Sequence, residues 1–401
     1  MAPRGYSDGV RIVHVSDCFA PRVGGIESQV QEMAHHQARA GNAVHVLTAT
    51  AAGSDEVEPG RSRYRTSGTE AGPIRVHRLA SPWTFGVPVH PRGQAVITRA
   101  LRLLRPDVVH VHAGVISPFA YDGAAAARKL NVPMAITWHC VLDRMRHPLA
   151  WAGHARGWGR TPFAPSAVSG LVARQVAEML GRQDVAVVPN GLDLRPWRAV
   201  ATAPPEPNPQ PDVLRVVATQ RLARRKRAVP LVRIIRRAHE RLGLSASGRP
   251  RIHLTIAGDG GDAAAVRAQI ARADLHDVVT LLGRVPRDLL PTLYRAQDVF
   301  VSPVRLEAFG LAALEARAAG LAVAGMDGSG ISEFITHRTE GLLAPDDAGL
   351  AAALVELAED RNLLDSITAH NRAAAPPLGW ADVLARVEAL YTAARAGRAP
   401  A

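Results

Sequence analysis

Short apolar runs and amphipathic stretches alternate along this chain from one end to the other. In the first half, Val10–Val15, Ala43–Thr48, Ile74–Leu79, Val108–Val111, Met134–Thr137 and Val185–Val188 are apolar and rich in β-branched residues, and they read as strands. Helical periodicity fills the gaps, as in Glu27–Ala40, Gly123–Leu130 and Gly170–Leu180. The polar stretch Ala51–Gly72 is too long for a tight connection and reads as a disordered loop or as part of an acceptor site. Residues 203–212 carry five prolines at nearly alternate positions and no apolar period, which is the chemistry of a stiff, extended linker.

Beyond the prolines the alternation restarts. Strands are predicted at Leu214–Ala218, Ile252–Ala257, Val278–Leu281, Val299–Ser302 and Ala322–Gly325. Helices are predicted at Ala228–Leu242, Asp262–Ala273, Arg287–Ala296 and Gly310–Ala319, with a helical C-terminal end. Strand and helix in strict alternation mean a parallel sheet covered on both faces. The fold class is therefore α/β, with two Rossmann-like doubly wound domains facing across a cleft. The expected limits are residues 1–200, a linker over 201–212, a second domain over 213–375, and a C-terminal helix over 376–401 packing back on the first domain. Ligands of such sheets bind beyond the carboxyl ends of the strands, so the loops there are where chemistry is sought.

Composition narrows the field modestly. A chain of 401 residues exceeds what one core usually organises. No run of about 18 apolar residues suggests a membrane span, and the short polar start lacks the pattern of a secretory signal, so a cytoplasmic location is expected. Two cysteines, Cys18 and Cys140, exclude a disulfide framework and a four-cysteine zinc site. His110, His112, His139 and Cys140 could be imagined around a metal ion. However, His-x-His in an apolar strand simply sets both rings on one face, and no familiar ligand spacing is present. The net charge of +12 is carried by arginine, with Lys129 and Lys226 the sole lysines. That balance favours phosphate-bearing or membrane-surface partners. Without an aromatic platform or a helix-turn-helix signal, nucleic acid gains no support.

Three constellations carry candidate chemistry. Gly24-Gly25 follows the first strand and opens a helix; paired glycines permit positive φ and close backbone approach, and free N–H groups at the helix start suit an anion. The loop Arg221-Leu222-Ala223-Arg224-Arg225-Lys226-Arg227 sets five cations in seven residues at the carboxyl end of a strand, which suits a diphosphate. Lysine at 226, in a chain that otherwise uses arginine, fits a phosphate as a compact point charge. The third is Arg305 to Glu315, with Glu307 before a helix, Phe309-Gly310-Leu311 at its start and Glu315 inside it.

Together these motifs resemble the retaining GT-B glycosyltransferases of family 4. The likeness also draws on Pro189-Asn190-Gly191-Leu192-Asp193, Gly258-Asp259-Gly260, Leu282-Gly283-Arg284-Val285 and Gly341-Leu342-Leu343, all in the family's order from about Val10 to Leu364. It extends to actinobacterial members that mannosylate phosphatidylinositol or glycosylate inositol phosphate. The resemblance implies that Arg221 and Lys226 grip the donor diphosphate in place of a metal ion, in keeping with the absence of Asp-x-Asp. It implies that Glu307 and the backbone of Phe309, Gly310 and Leu311 hold the donor sugar, that Glu315 accepts from ribose hydroxyls, and that the Arg284-Val285 backbone lies near the base. His139 matches a histidine beside the donor sugar, and Asn190-Gly191 a structural turn. Three positions depart from the pattern: Gln220 and Arg227 stand where glycine is usual, and Ser329 interrupts a Gly-Gly pair.

The expected function is transfer of a hexosyl group from GDP-mannose or a UDP sugar to an alcohol acceptor such as a glycolipid, inositol-type or glycan acceptor, with no cofactor. The alternatives are a GT-B epimerase or phosphorylase, or a non-catalytic nucleotide-binding protein on the same scaffold. The stretch Arg92–Leu104 sets Arg92, Arg99 and Arg102, with Arg105 beyond, opposite Ile97, Leu101 and Leu104. It reads either as a surface helix with solvated arginines or as a docking face for an anionic membrane and a lipid-linked acceptor.

Overall fold

The structure, a computed structural model, describes residues 9–22, 24–51, 64–67, 74–81, 88–155, 162–204 and 206–397, with backbone alone for 64–67 and 152–155. The chain forms two units, Met1–Gly191 with Trp380–Ala401, and Leu192–Gly379.

The first unit runs β1 (Arg11–Ser16), α1 (Gly25–Arg39), β2 (Ala43–Thr48), β3 (Tyr64–Ser67), β4 (Ile74–Arg78), α2 (Gly93–Leu104), β5 (Val108–Ala113), α3 (Pro118–Lys129), β6 (Met134–Trp138), α4 (Arg146–Ala155), β7 (Ala164–Ala167), α5 (Gly170–Leu180) and β8 (Ala186–Val187). Among the described residues its sheet has the order β3-β4-β2-β1-β5-β6-β7-β8. All pairings are parallel except β3 with β4. Every position of β5 and β6 is buried, which is why these segments read as continuous apolar runs.

The second unit runs α6 (Arg195–Thr202), β9 (Leu214–Thr219), α7 (Ala228–Leu242), β10 (Ile252–Ala257), α8 (Ala263–Arg272), β11 (Val279–Gly283), α9 (Leu290–Arg295), β12 (Val299–Ser302), α10 (Leu311–Ala318), β13 (Ala322–Met326), β14 (Gly341–Ala344), α11 (Asp347–Glu359) and α12 (Arg361–Ala373). Its sheet is parallel throughout, in the order β11-β10-β9-β12-β13-β14. Helix α7 shows how the pattern makes the layer. Leu231, Ile234, Ile235, Ala238 and Leu242 recur every three or four residues and are all buried, and Gly243 ends the helix at a φ of 65°. They pack with Leu214, Val216, Ile252 and Leu254 of the sheet.

The last helix, α13 (Trp380–Ala396), belongs to the first unit. Val383, Val387 and Leu390 join Ile12, Val108 and Ala135 in one buried cluster. Each fully buried aliphatic side chain is worth roughly 1.5–3 kcal/mol, enough to hold a helix that sequence order places far away.

Four features differ from the sequence reading. The chain passes between units at Gly191–Leu192, and the proline-rich stretch lies inside the second unit. Arg198 explains this: it donates to the carbonyls of Asn371 (3.0 Å) and Arg372 (2.6 Å), tying α6 to α12 before the prolines begin. Strands β7 and β14 are additional. The sequence Ala-Pro-Ser-Ala of β7 is fully buried yet carries no apolar run to read. Strand β3 falls within the stretch expected as a loop, whose residues 52–63 and 68–72 lie outside the described residues. Finally, α2 spends Ile97 and Leu101 on packing, with Arg99, Arg102 and Arg105 exposed beside Leu103, which is 71% exposed. The apolar face expected for a bilayer is thus largely inside the protein. No helix among the described residues is long and apolar enough to cross a membrane.

Candidate active site

In the second unit, four adjacent strands, β11, β10, β9 and β12, deliver the predicted residues at their carboxyl ends. Beyond β9 the chain makes a short helical turn over Arg224–Lys226 and then enters α7. Arg227 sits between them at φ 59°, ψ 37°, the left-handed region that favours glycine. This accounts for the glycine usual at that position. Arginine tolerates the conformation here because its guanidinium makes a paired contact with Asp347 at 2.9 Å and donates to the Pro303 carbonyl at 2.8 Å. Arg305 also reaches Asp347, at 3.0 Å. Burial pushes the Asp347 carboxyl up, but hydrogen bonds and charge from Arg227 and Arg305 outweigh it and hold the group below the usual carboxylate range.

The loop is braced from β10. Leu222 donates its N–H to Asp259 at 2.9 Å and accepts from Asp262 at 2.9 Å. Gly258 and Gly260, at φ 152° and 155°, press against this loop: a Cβ would lie 1.8 Å from the Gln220 carbonyl oxygen and 2.4 Å from that of Leu222. Gly-Asp-Gly is therefore a seat for the Arg221 loop. Arg221 itself is exposed, as are Arg224 and Arg225.

Glu307 lies in the loop between β12 and α10, and its Oε2 accepts from Lys226 Nζ at 2.7 Å. Glu307 is the more enclosed partner, with a side chain 16% exposed against 39% for Lys226. Two groups singled out separately in the sequence are thus directly bonded. Phe309 is buried against the Phe334 ring at 5.4 Å, and Gly310 has a φ of 95° before Leu311 begins α10. Glu315, buried in α10, accepts from Arg287 at 3.3 Å. Arg284 and Val285 follow β11, the first exposed and the second half-buried.

Sequence reasoning missed the brace under this loop. Gly330 donates its N–H to the Glu307 carbonyl at 2.8 Å. A Cβ on Gly330 would stand 2.3 Å from the Ala308 carbonyl oxygen, and one on Gly310 would stand 2.7 Å from Ile331. Ser329, which interrupts the usual glycine pair, is buried and donates to Met326 O at 2.7 Å. The interrupted glycine pair was the readable sign of this brace.

In the first unit, Gly24 and Gly25 lie at the N-terminus of α1 beyond β1. Neither adopts positive φ: Gly24 is extended at −175°. At 24 a Cβ would meet only the mobile end of the Glu27 side chain, 2.3 Å from a carboxylate oxygen, and at 25 the space is open, so packing requires glycine at neither position. Nearby, Asp17 caps the start of α3, accepting from the N–H groups of Phe119 (3.0 Å) and Ala120 (3.3 Å). Burial raises it to about 6, against those hydrogen bonds.

His139 follows β6, is 9% exposed, and donates its backbone N–H to Ala113 at 2.9 Å. Its Nε2 lies 3.0 Å from His112 Nδ1, and His112 Nε2 lies 2.9 Å from His14 Nδ1. Burial lowers His14 and His139 to about 4, and holds His110 and His112 well below the ordinary imidazole value. His14, His110 and His112 bring ligating atoms within 4.8 Å of one another. Each of their ring nitrogens is already hydrogen-bonded to a neighbour, so a metal ion there would have to break that network.

The chain resembles known proteins over nearly its whole length. Residues 23–195 match the family Glycosyltransferase Family 4, and residues 202–373 match Glycosyl transferases group 1. Glycogen synthase of Mycobacterium tuberculosis is 28% identical, the match covering 97% of this chain and 96% of that protein. A GDP-mannose-dependent alpha-mannosyltransferase of the same organism is 29% identical over 84% of each chain. Among solved structures, Anabaena Alr3699/HepE in complex with UDP-glucose superposes with a TM-score of 0.68 at 17% identity, covering 96% of this chain and 100% of that one.

Proposed function

The chain belongs, by its two halves, to the family 4 and group 1 glycosyltransferases of GT-B fold that use nucleotide sugars, and on that premise we propose that it is a retaining, metal-independent hexosyltransferase acting on an alcohol acceptor. The observation that carries this reading is the Lys226–Glu307 pair at 2.7 Å, held by loops from adjacent strands β9 and β12.

Departure of the sugar leaves charge on the diphosphate. Arg221 and Lys226 oppose it with fixed positive charge, each contributing about 2–4 kcal/mol in a partly dry site. An ammonium has three donors, so Lys226 keeps Glu307 and still offers N–H to a phosphate oxygen. In this scheme those cations do the work of a metal ion. Glu307 accepts from sugar hydroxyls, the backbone at Phe309, Gly310 and Leu311 holds the same ring, Glu315 accepts from the ribose, and the backbone at Arg284 and Val285 meets the base. Gly24 and Gly25 keep side chains away from an anion at α1. His139 positions the transferred sugar. Glu307 is paired with Lys226 and Glu315 with Arg287, and this scheme assigns neither as a nucleophile. Attack from the leaving-group face, with the donor phosphate taking the acceptor proton, then retains configuration.

The donor is GDP-mannose or a UDP sugar, and the acceptor is an alcohol on a glycan, an inositol-type compound or a glycolipid. Peripheral contact with an anionic bilayer would rest on Arg99, Arg102, Arg105 and exposed Leu103. Thermal unfolding with a panel of nucleotide sugars, in chelator, tests the donor side. A ligand at 100 times its Kd adds about 2.7 kcal/mol. Stabilisation by GDP-mannose alone, or by UDP sugars alone, identifies the donor. Stabilisation by none, or only after a divalent ion is restored, defeats the proposal.

A further inference from the structure

Across β1, β5, β6 and β7 of the first unit, buried side chains form one continuous hydrogen-bond chain that ends at His139. Register brings them together: His14 pairs with His110, His110 with Ala135, and Thr137 with Ser166. α13 adds Tyr391 and α1 adds Gln37, both buried.

Direction along the chain can be assigned from its far end. Ser166 Oγ lies 3.3 Å from the Ile136 carbonyl, which can only accept. With its single proton committed there, Ser166 accepts from Thr137 at 2.7 Å. Thr137 then accepts from His110 Nε2–H at 2.7 Å, and His110 Nδ1 accepts from the Tyr391 hydroxyl at 2.9 Å. Tyr391 accepts from Gln37 Nε2 at 3.0 Å, and Gln37 Oε1 accepts from His14 Nε2–H at 2.7 Å. His14 Nδ1 accepts from His112 Nε2–H at 2.9 Å, and His112 Nδ1 accepts from His139 Nε2–H at 3.0 Å. Every donor meets one acceptor. Reversal would turn Ser166 away from Ile136 and invert every member together.

We propose that this chain is a tautomer lock: it holds His139 neutral, with Nε2 protonated toward His112 and Nδ1 left as a bare acceptor. Among the described residues none hydrogen-bonds that Nδ1. His139 therefore takes a hydrogen bond from a sugar hydroxyl and does not give one. His112, His14, Gln37, Tyr391 and His110 are positioning residues acting through it. The burial that depresses these histidines keeps a proton from entering the chain and breaking its direction. The functional consequence rests on His139 being the sugar-positioning residue; the lock itself does not.

Nitrogen-15 NMR of histidine-labelled full-length protein reads the lock directly, with His139→Gln assigning the signal. One neutral Nε2–H tautomer for His139 at pH 7, without donor, is the expected result. The opposite tautomer, an even mixture or an imidazolium overturns the proposal. Two variants separate positioning from bulk stability. Gln37→Leu removes the acceptor of His14 and should give His139 mixed tautomers, with kcat down about tenfold, the worth of one hydrogen bond. Gln37→Glu sets a carboxylate beside His14, which favours a His14 imidazolium donating from both nitrogens, and should turn His139 to the opposite, Nδ1–H tautomer through His112; an unchanged tautomer there counts against the lock. If His139→Gln transfers sugar normally while the tautomer is as expected, the lock stands and the role of His139 falls.

Discussion

The two sheets present opposite chemistry at their carboxyl edges. The first ends in neutral, buried imidazoles whose partners are other uncharged groups; burial lowers His14 and His139 to about 4 and holds His110 and His112 well below the ordinary imidazole value. The second ends in half-exposed ion pairs, Lys226 with Glu307 and Arg287 with Glu315. Full charge is useful where a diphosphate must be met and left, and water near the pair limits the cost of exposing it. Neutral polar groups are useful where one ring must be held in one state. Burial is what makes the second kind reliable, because an imidazolium in that position would lack a counter-charge.

The largest effect in breaking the contrast is expected on the charged edge. Lys226→Ala should lower kcat about a hundredfold, and Glu307→Gln about tenfold to a hundredfold, measured with saturating donor. Next comes pH, which should act on the neutral edge. His14, His45, His77 and His139 have folded values near 4 against 6.5, so their stabilisation is full above 6.5 and is lost as pH falls toward 4. Asp17 runs the other way: raised from 3.8 to about 6, its contribution is full below 3.8 and lost as pH rises through 6. The histidines outnumber it. The first unit should therefore loosen by a few kcal/mol between pH 7 and pH 5, ahead of the second. Hydrogen exchange corrected for intrinsic rates would show this, and equal loosening of both units would refute it.

Smaller effects probe the brace. Gly330→Ala would drive a methyl onto the Ala308 carbonyl and should cost about 1–3 kcal/mol in denaturant unfolding, with turnover falling too. Smallest is the gap between Arg227→Ala and Arg227→Gly. Both lose the Asp347 contact, but glycine relieves the left-handed backbone, so the glycine variant should be more stable by about 1 kcal/mol. Equal stability would mean the φ of 59° carries no strain.

The same contrast governs what could be read from the sequence. Strands such as Ala43–Thr48, Ile252–Ala257 and Val299–Ser302 fall where their apolar runs predict, because burial on both faces writes itself into composition. On the charged edge, Lys226 and Glu307 were visible because charges beside a strand end are conspicuous, though their 2.7 Å contact spans 81 residues and no local pattern encodes it. On the neutral edge, His-x-His at 110 and 112 was legible, and its meaning was not. The links joining it to Tyr391 and Gln37 span up to 354 residues and depend on strand register and the return of α13. Arg227 was legible as a departure from glycine, and its compensation by Asp347, 120 residues away, was not.

The account stands on Lys226 as a donor-diphosphate group. Titration calorimetry of UDP and GDP into wild-type protein and Lys226→Ala, both in chelator, tests this most directly. Wild type should bind one of the two nucleotides, and the variant should bind it at least about tenfold more weakly while keeping its unfolding temperature. Equal affinity in the variant, or binding in wild type that disappears with the chelator, would contradict it.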